Sequence, residues 1–451
     1  MFGDTTEIVE ASIQRAERKS RRTDVEASLR KRWLYLMPAV FVTYSLAYLD
    51  RANFGFGAAA GLANTLHFTG KQVSLLGGLF FLGYCAFQVP GARFARKRSA
   101  IWLVFAALIG WGTCAALTGV IRTFWLLAAD RFLLGVAESV IFPSMLVLLT
   151  HWFTRAERSR ANTFLILGNP VTVLWMSAIT GYLIQAFGWQ RTFILEGVPS
   201  ICWAVVWILF VKDRPGEASW MTAEAAAELD RVLTEEQKVV GGAAANVRNA
   251  LLRPDVLVLA VQFFFWSAGL YGFVLWLPLI VRQGSALSMG KTGLLSALPY
   301  LAGVILMVTV SHISDRTRKR QALVWPFLLM AGVGLLGSFL LADHSFALAF
   351  ACLIVGGGCM YAPYGPYWAI VPERLPKQVV AEVMAVINTS GALGGFAGSY
   401  LVGWLQAATG KPRAGFLLMS VALIVAGLLV LWLPDGTQRR NELRRTRAVS
   451  R

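Results

Sequence analysis

Charge is scarce in this chain. Asp, Glu, Lys and Arg make up 15% of its 451 residues and hydrophobic residues 56%, whereas roughly a quarter of a soluble domain is charged. That shortage excludes an ordinary soluble enzyme. Cysteine is thin as well. Cys85, Cys114, Cys202, Cys352 and Cys359 all fall inside apolar runs without metal-ligand spacing, which argues against disulfides or zinc and leaves them as small buried hydrophobes. The sequence also lacks a metal-ligand cluster, a nucleophile constellation, a phosphate loop and an appended signalling domain, so no cofactor is implied and neither a membrane enzyme nor a sensor is the favoured reading. No cleaved leader is expected. Residues 1–32 are polar and heavily charged, and the apolar run Trp33 to Gly57 is too long for one.

What the chain does contain is apolar runs of about 20 residues, enough to cross a hydrocarbon core of roughly 30 Å, repeated from end to end. Mean hydropathy is +0.58. The spacing predicts spans over 33–57, 72–92, 99–121, 123–150, 161–187, 190–211, 255–281, 291–312, 321–342, 346–371, 381–406 and 413–433. The expected architecture is an all-α membrane protein of about twelve helices in the lipid bilayer.

The net charge of +17 and pI near 10.0 raise nucleic acid as a partner, and position rejects it. Basic residues gather in the N-terminal tail, "RFARKRS" (93–99), "RAERSR" (155–160), 212–254, "RTRKR" (316–320) and the C-terminal tail, while alternate loops hold only Lys71, Arg122, Arg191, Arg282, Lys291, Lys411 and Arg413. By the positive-inside rule both termini and the long middle loop are cytoplasmic. The expected division is a tail at 1–32, a six-helix bundle at 33–211, a linker at 212–254, a second bundle at 255–433 and a tail at 434–451. Within the linker, Leu229, Val232 and Leu233 at helical spacing predict a helix along the membrane face, followed by a loose "GGAAAN".

A shift of 222 positions places Arg320 on Arg98, Gly357 on Gly135, Gly403 on Gly181 and Gly410 on Gly188. Two pseudo-symmetric halves with a site near the midplane between them are expected. "GNPVTVLW" (168–175) and "YAPYGPYW" (361–368) carry proline inside spans, as suits gating helices. The G-x-x-x-G pairs Gly391/Gly395 and Gly394/Gly398 suit close helix packing.

Ionisable residues away from span ends are Asp50 and Arg51 in the first span and Asp130, Arg131 and Glu138 in the fourth. A charge at the bilayer centre costs at least roughly 2.5 kcal/mol on insertion scales, so these groups must face protein or water. Asp50, Arg51 and Arg131 come out roughly 10 to 12 Å below the outer surface at 1.5 Å per residue, with Glu138 about two turns deeper on nearly the same face as Arg131. The expected pairs are Asp50 with Arg131 and Glu138 with Arg51, while Asp130 turns toward the outer interface. Two roles fit: ion pairs that lock helices together, or a switch in which Asp50 and Glu138 carry protons while Arg51, helped by Arg131, reads a carboxylate. In the second half, Gln262, Trp266, Tyr271, Tyr361, Tyr364, Trp368, Asn388 and Ser390 suit a hydroxylated, partly apolar carbon chain.

"YLDRANFGFGAAAG", "FFLGYCAFQVPGA", "RFLLGVAESVIFP", "RPGEASW", "CMYAPYGPYWAIVPE" and "NTSGALGGFAGSYLVGWL" together resemble the anion:cation symporter family of the major facilitator superfamily, over about residues 33 to 433. The resemblance implies a major facilitator fold in the bacterial cytoplasmic membrane, a monomer, and proton-driven import of a sugar acid, a hexonate with L-galactonate first. It carries proton coupling onto Asp50 and Glu138, carboxylate binding onto Arg51, a coupling role onto Arg131, and hexonate contacts onto Tyr48, Tyr84, Asn169, Trp368 and Asn388. An aromatic or dicarboxylic anion, or an efflux antiporter, stays open beside it. One departure stands out: "GARFARKRS" lacks the acid usual in the loop after the second helix, whereas "SHISDRTRKR" keeps Asp315 and Arg316.

Overall fold

The computed structural model describes residues 3–238, 247–285, 287–375, 379–410 and 414–433. "GGAAAN", Lys411, Arg413 and the C-terminal tail lie outside the described residues. Helices are joined by short turns: α1 (Gly3–Ala59), α2 (Leu62–Leu66), α3 (Gly70–Lys97), α4 (Ala100–Thr118), α5 (Phe124–Ser139), α6 (Ile141–Trp152), α7 (Arg155–Phe210), α8 (Ala223–Lys238), α9 (Val247–Leu251), α10 (Pro254–Ser285), α11 (Met289–Thr317), α12 (Trp325–Leu341), α13 (Phe346–Tyr361), α14 (Tyr364–Arg374), α15 (Val380–Thr409) and α16 (Ala414–Leu431).

Twelve membrane passages result among the described residues. Among the described residues, eight stretches are long and apolar enough to cross on hydropathy alone, and one of these, Arg160–Phe210, has 51 residues. That is about 77 Å of helix at 1.5 Å per residue, too long for one crossing of a core of about 30 Å. Gly188, with φ 78° and ψ 162°, breaks α7 into two legs. Thr180 and Glu196, equally far on either side of it, are hydrogen-bonded, so the legs fold back on each other. With α1, α3 and α15, whose apolar runs are diluted by glycine and polar residues, the passages number twelve.

The 222-residue repeat reappears in the backbone. Gly188 and its counterpart Gly410 both adopt positive φ, 78° and 66°, a region that side-chain-bearing residues rarely enter. The fourth passage of each half is broken at the same place: α5 gives way to α6 at Val140, and α13 to α14 at Ala362 and Pro363. The first of these breaks is not among the expected ones. Conversely, α7 continues through Pro170 without a break, Gly188 being its only non-helical residue.

At the face carrying the chain ends, the first half is tied by long-range bonds. Arg32 donates to the Trp152 carbonyl at 2.8 Å and pairs with Glu157 at 2.5 Å. Trp220 stacks on Tyr35 and Trp152 with ring centroids 5.1 and 5.2 Å apart. The linker helix α8 buries Leu229 and Leu233 against this end. The acid missing from the 91–99 loop arrives from elsewhere: the Asp213 carboxylate accepts from the Ser99 hydroxyl and from the Ala100 and Ile101 amides, capping the start of α4. In the second half Arg320, rather than Arg316, holds Asp315 at 2.6 Å and Glu373 at 3.2 Å.

On the opposite face the halves meet through small residues. A Cβ on Gly181 of α7 would stand 2.6 Å from the Met289 carbonyl oxygen and 3.0 Å from the Gly293 Cα of α11. On the other flank Gly403 of α15 abuts the Ser74 hydroxyl of α3 and the Trp276 ring of α10. Such contacts need a bare backbone, and they close this side. The two G-x-x-x-G pairs of α15 pack on Phe263, Phe264 and Ala268 of α10 and on Phe81 of α3.

Candidate functional site

Below that closed side the halves leave a cavity between them. From the first half α1 contributes Tyr44 and Arg51, α3 Phe81 and Tyr84, α6 Phe142, and α7 Ile166 and Asn169. From the second, α10 contributes Phe263, Ser267 and Tyr271, α14 Tyr364 and Trp368, and α15 Asn388, Gly391 and Ala392. Among the described residues, Arg51 is the sole charged side chain in this lining. Eight of the fifteen lining residues are aromatic, so the walls offer ring faces and amides around one cation.

Arg51 is fixed from behind. Its Nε donates to Glu138 Oε2 at 2.8 Å, a charge-assisted bond with both partners buried. Its guanidinium carbon lies 4.6 Å from the Tyr84 ring centroid, 5.3 Å from Tyr48 and 5.4 Å from Phe80, a cage of ring faces that favours a cation. Glu138 is fully buried, does not reach the cavity, and keeps its Oε1 without a partner. The group that neutralises Arg51 is therefore screened from the cavity that Arg51 lines.

The expected pair of Arg51 and Glu138 forms; that of Asp50 and Arg131 does not. Neighbouring residues on α1 point about 100° apart, which turns Asp50 away from the cavity. Its Oδ1 accepts from Asn53 at 3.2 Å, and its Oδ2 has no partner. Arg131 lies instead over the Phe54 ring at 4.5 Å. Asp130 also departs from expectation: it is buried and accepts from Thr118 at 2.8 Å rather than reaching the outer interface.

Of the proposed ligand contacts, Arg51, Tyr84, Asn169, Trp368 and Asn388 line the cavity, whereas Tyr48 and Arg131 are buried behind it. Among the second-half residues, Tyr271 and Tyr364 join the lining. Ser390 spends its hydroxyl on the Ala260 carbonyl, and Trp266 donates to the Met360 carbonyl. Gln262 and Tyr361 are buried with unpartnered polar atoms but stand outside the lining.

Sequence reasoning missed Glu196, Tyr44, Phe142 and Ser267. Glu196 is buried in the second leg of α7, accepting from Thr180 at 2.5 Å and from Asn53 at 3.2 Å. The signal was present, a lone acid in "TFILEGVPS"; it sits within two turns of the span's start, where an acid passes for an end residue.

The Major Facilitator Superfamily model matches residues 40–399. A putative tartrate transporter of Agrobacterium vitis is 32% identical over 432 residues, covering 93% of this chain and 94% of that one. A quinolone resistance transporter of Acinetobacter baumannii is 30% identical, with 90% and 94% covered. Among solved structures, a bacterial homologue of the human lysosomal transporter Spinster, in an inward-facing and occupied conformation, shares the fold with TM-score 0.72 at 16% identity, covering 88% of this chain and 96% of that one. The fold and the relatives are those of transporters, not of enzymes, and the chain belongs to the Major Facilitator Superfamily.

Proposed function

We propose that the protein is a proton-coupled symporter that imports a small organic acid, a sugar acid of the hexonate class with L-galactonate first, by alternating access across the bacterial cytoplasmic membrane. The observation that carries this reading is Arg51: it faces the cavity while its counter-ion, Glu138, is shielded behind it. A ligand carboxylate and Glu138 compete for one guanidinium. A proton on Glu138 ends the competition and leaves Arg51 to the ligand; loss of that proton restores the pair and expels the ligand. Asp50 is the second proton site. Asn169, Asn388 and the Tyr84 and Tyr271 hydroxyls offer partners to a hydroxylated chain, and Trp368 a face for its C–H groups. In this reading the bundles at 33–211 and 255–433 rock about the cavity, the 212–254 linker joins them, both termini are cytoplasmic, and the working unit is the monomer.

The single cation of the lining favours a monocarboxylate over a dianion, since a second ionised group would be desolvated without a partner. The eight aromatic rings favour a second reading, an aromatic monocarboxylate stacked between Trp368 and Tyr84. One assay decides: uptake of radiolabelled L-galactonate into proteoliposomes with and without an inward proton gradient, with D-galactonate, glucuronate, tartrate and benzoate as competitors. Gradient-driven accumulation blocked best by unlabelled L-galactonate supports the first reading. Strongest block by benzoate moves the substrate to the second, and accumulation without a proton gradient removes the coupling.

A further inference from the structure

A third buried acid stands beside the coupling residues. Glu196 and Asp50 are held by one amide: Asn53 Nδ2 donates at 3.2 Å to Glu196 Oε2 and at 3.2 Å to Asp50 Oδ1. Two such bonds to one nitrogen keep the carboxylate oxygens within about 6.4 Å of each other. No salt bridge is made by either acid among the described residues, and neither borders the cavity. Glu196 is enclosed by α1, by the first leg of α7 through Thr180, and by α4, which meets the second leg where Gly112 abuts Gly197. On those elements the ionisable groups facing this region are Asp50 of α1 and Cys114 of α4; beyond them lie Asp130, Arg131 and Glu138 of α5.

A buried carboxylate without a cation is costly when ionised, and two beside one amide are costlier still. The amide itself suits a change of protonation. With Nδ2 serving both carboxylates, Asn53 Oδ1 is left buried and unpartnered, as is Asp50 Oδ2. Turned over, the same amide would accept from a protonated carboxyl while leaving the other acid its second partner, Thr180. We propose that Glu196 is a positioning residue of the proton-coupling machinery, joined to Asp50 through Asn53 so that protonation of one carboxyl depends on that of the other, on the side of α1 away from the ligand. This rests on the symporter reading for its role in transport, but not for its test. At about 6 Å and an effective dielectric near 20, a charge on one acid shifts titration of the other by about two pH units.

The test is an infrared pH titration of the carboxyl C=O stretch on the purified, full-length protein, comparing wild type with Glu196→Gln and Asp50→Asn. Removing either acid should abolish the higher of the two titration steps and leave the remaining carboxyl titrating about two pH units below it, and Asn53→Leu should alter both. Uptake by Glu196→Gln should keep its substrate counterflow while its pH profile shifts to lower pH. Titrations that do not move in either single variant overturn the coupling, whatever the transport result. A wild type that titrates as a pair but shows no proton-driven uptake sinks the symporter reading alone. Should Glu196→Gln fail to fold, Asp50→Asn still reports on Glu196 by itself.

Discussion

Replacing Glu138 by Gln keeps the shape of the side chain and removes the one carboxylate that Arg51 holds. In the native protein the Nε to Oε2 bond of 2.8 Å lies between two side chains of 5% and 0% exposure, so a ligand carboxylate must outbid it. A charge-assisted hydrogen bond of this kind contributes about 1.5 to 3 kcal/mol, or about 10- to 100-fold in affinity. The variant should therefore bind the ligand about 10- to 100-fold more tightly than wild type at alkaline pH, where Glu138 is ionised. At acidic pH, where wild-type Glu138 carries its own proton, the two should converge. Binding measured calorimetrically across pH would thus slope in wild type, strengthening as pH falls, and flatten in the variant. Uphill accumulation in proteoliposomes should collapse to equilibration, because no proton need accompany the ligand through Glu138. A variant that binds with the wild-type pH slope, or that accumulates substrate fully against a gradient, would refute the competition.

Arg51→Lys keeps the charge but loses the planar fork and its stacking on Tyr84, and transport should fall at least about tenfold in the uptake assay. Gly181→Leu should part α7 from α11; in a background without the five native cysteines, Ser177→Cys, buried in the native protein, should then react with an impermeant maleimide, whereas unchanged labelling would deny the seal. Asp213→Ala removes the carboxylate that the Ala100 and Ile101 amides donate to, leaving α4 only its Ser99 cap, and should cost about 1 kcal/mol, read as a lowered thermal midpoint in detergent.

Span length made the number of passages legible, because each must be about 20 residues long to cross. Yet α1 runs on from Gly3, well before the expected start at residue 33, and α1, α3 and α15 fall short on hydropathy alone. Breaks within a passage were harder. Pro170 looked like one and is absorbed by α7, while Val140 interrupts the fourth passage with Pro143 lying just beyond it; proline position does not say which helix neighbour will supply the freed backbone partners. The Arg51 and Glu138 pair was legible because depth and helix face suffice when only two helices are concerned. Asp50 was assigned the wrong partner since its nearest donor, Asn53, is on its own helix and its other neighbour, Glu196, comes from a helix whose rotation no periodicity discloses. The cavity wall was half legible: Trp368 and Asn388 announced themselves, whereas Phe142 and Ser267 are ordinary span residues until the halves are brought together.

Glycine against carbonyl at Gly181 and Met289 has a cost for slippage. A barrier built of side chains can leak, because one rotamer hop opens a water-sized gap in nanoseconds. A barrier built of backbone pressed on backbone has no such moving part, and it yields only when whole helices separate. Opening on that side is then a single, slow, collective event, and a stray proton or water has little chance to pass between events. For the symport proposed above, tight coupling would then rest partly on a place far from the charges, at Gly181, where the chain has no side chain at all.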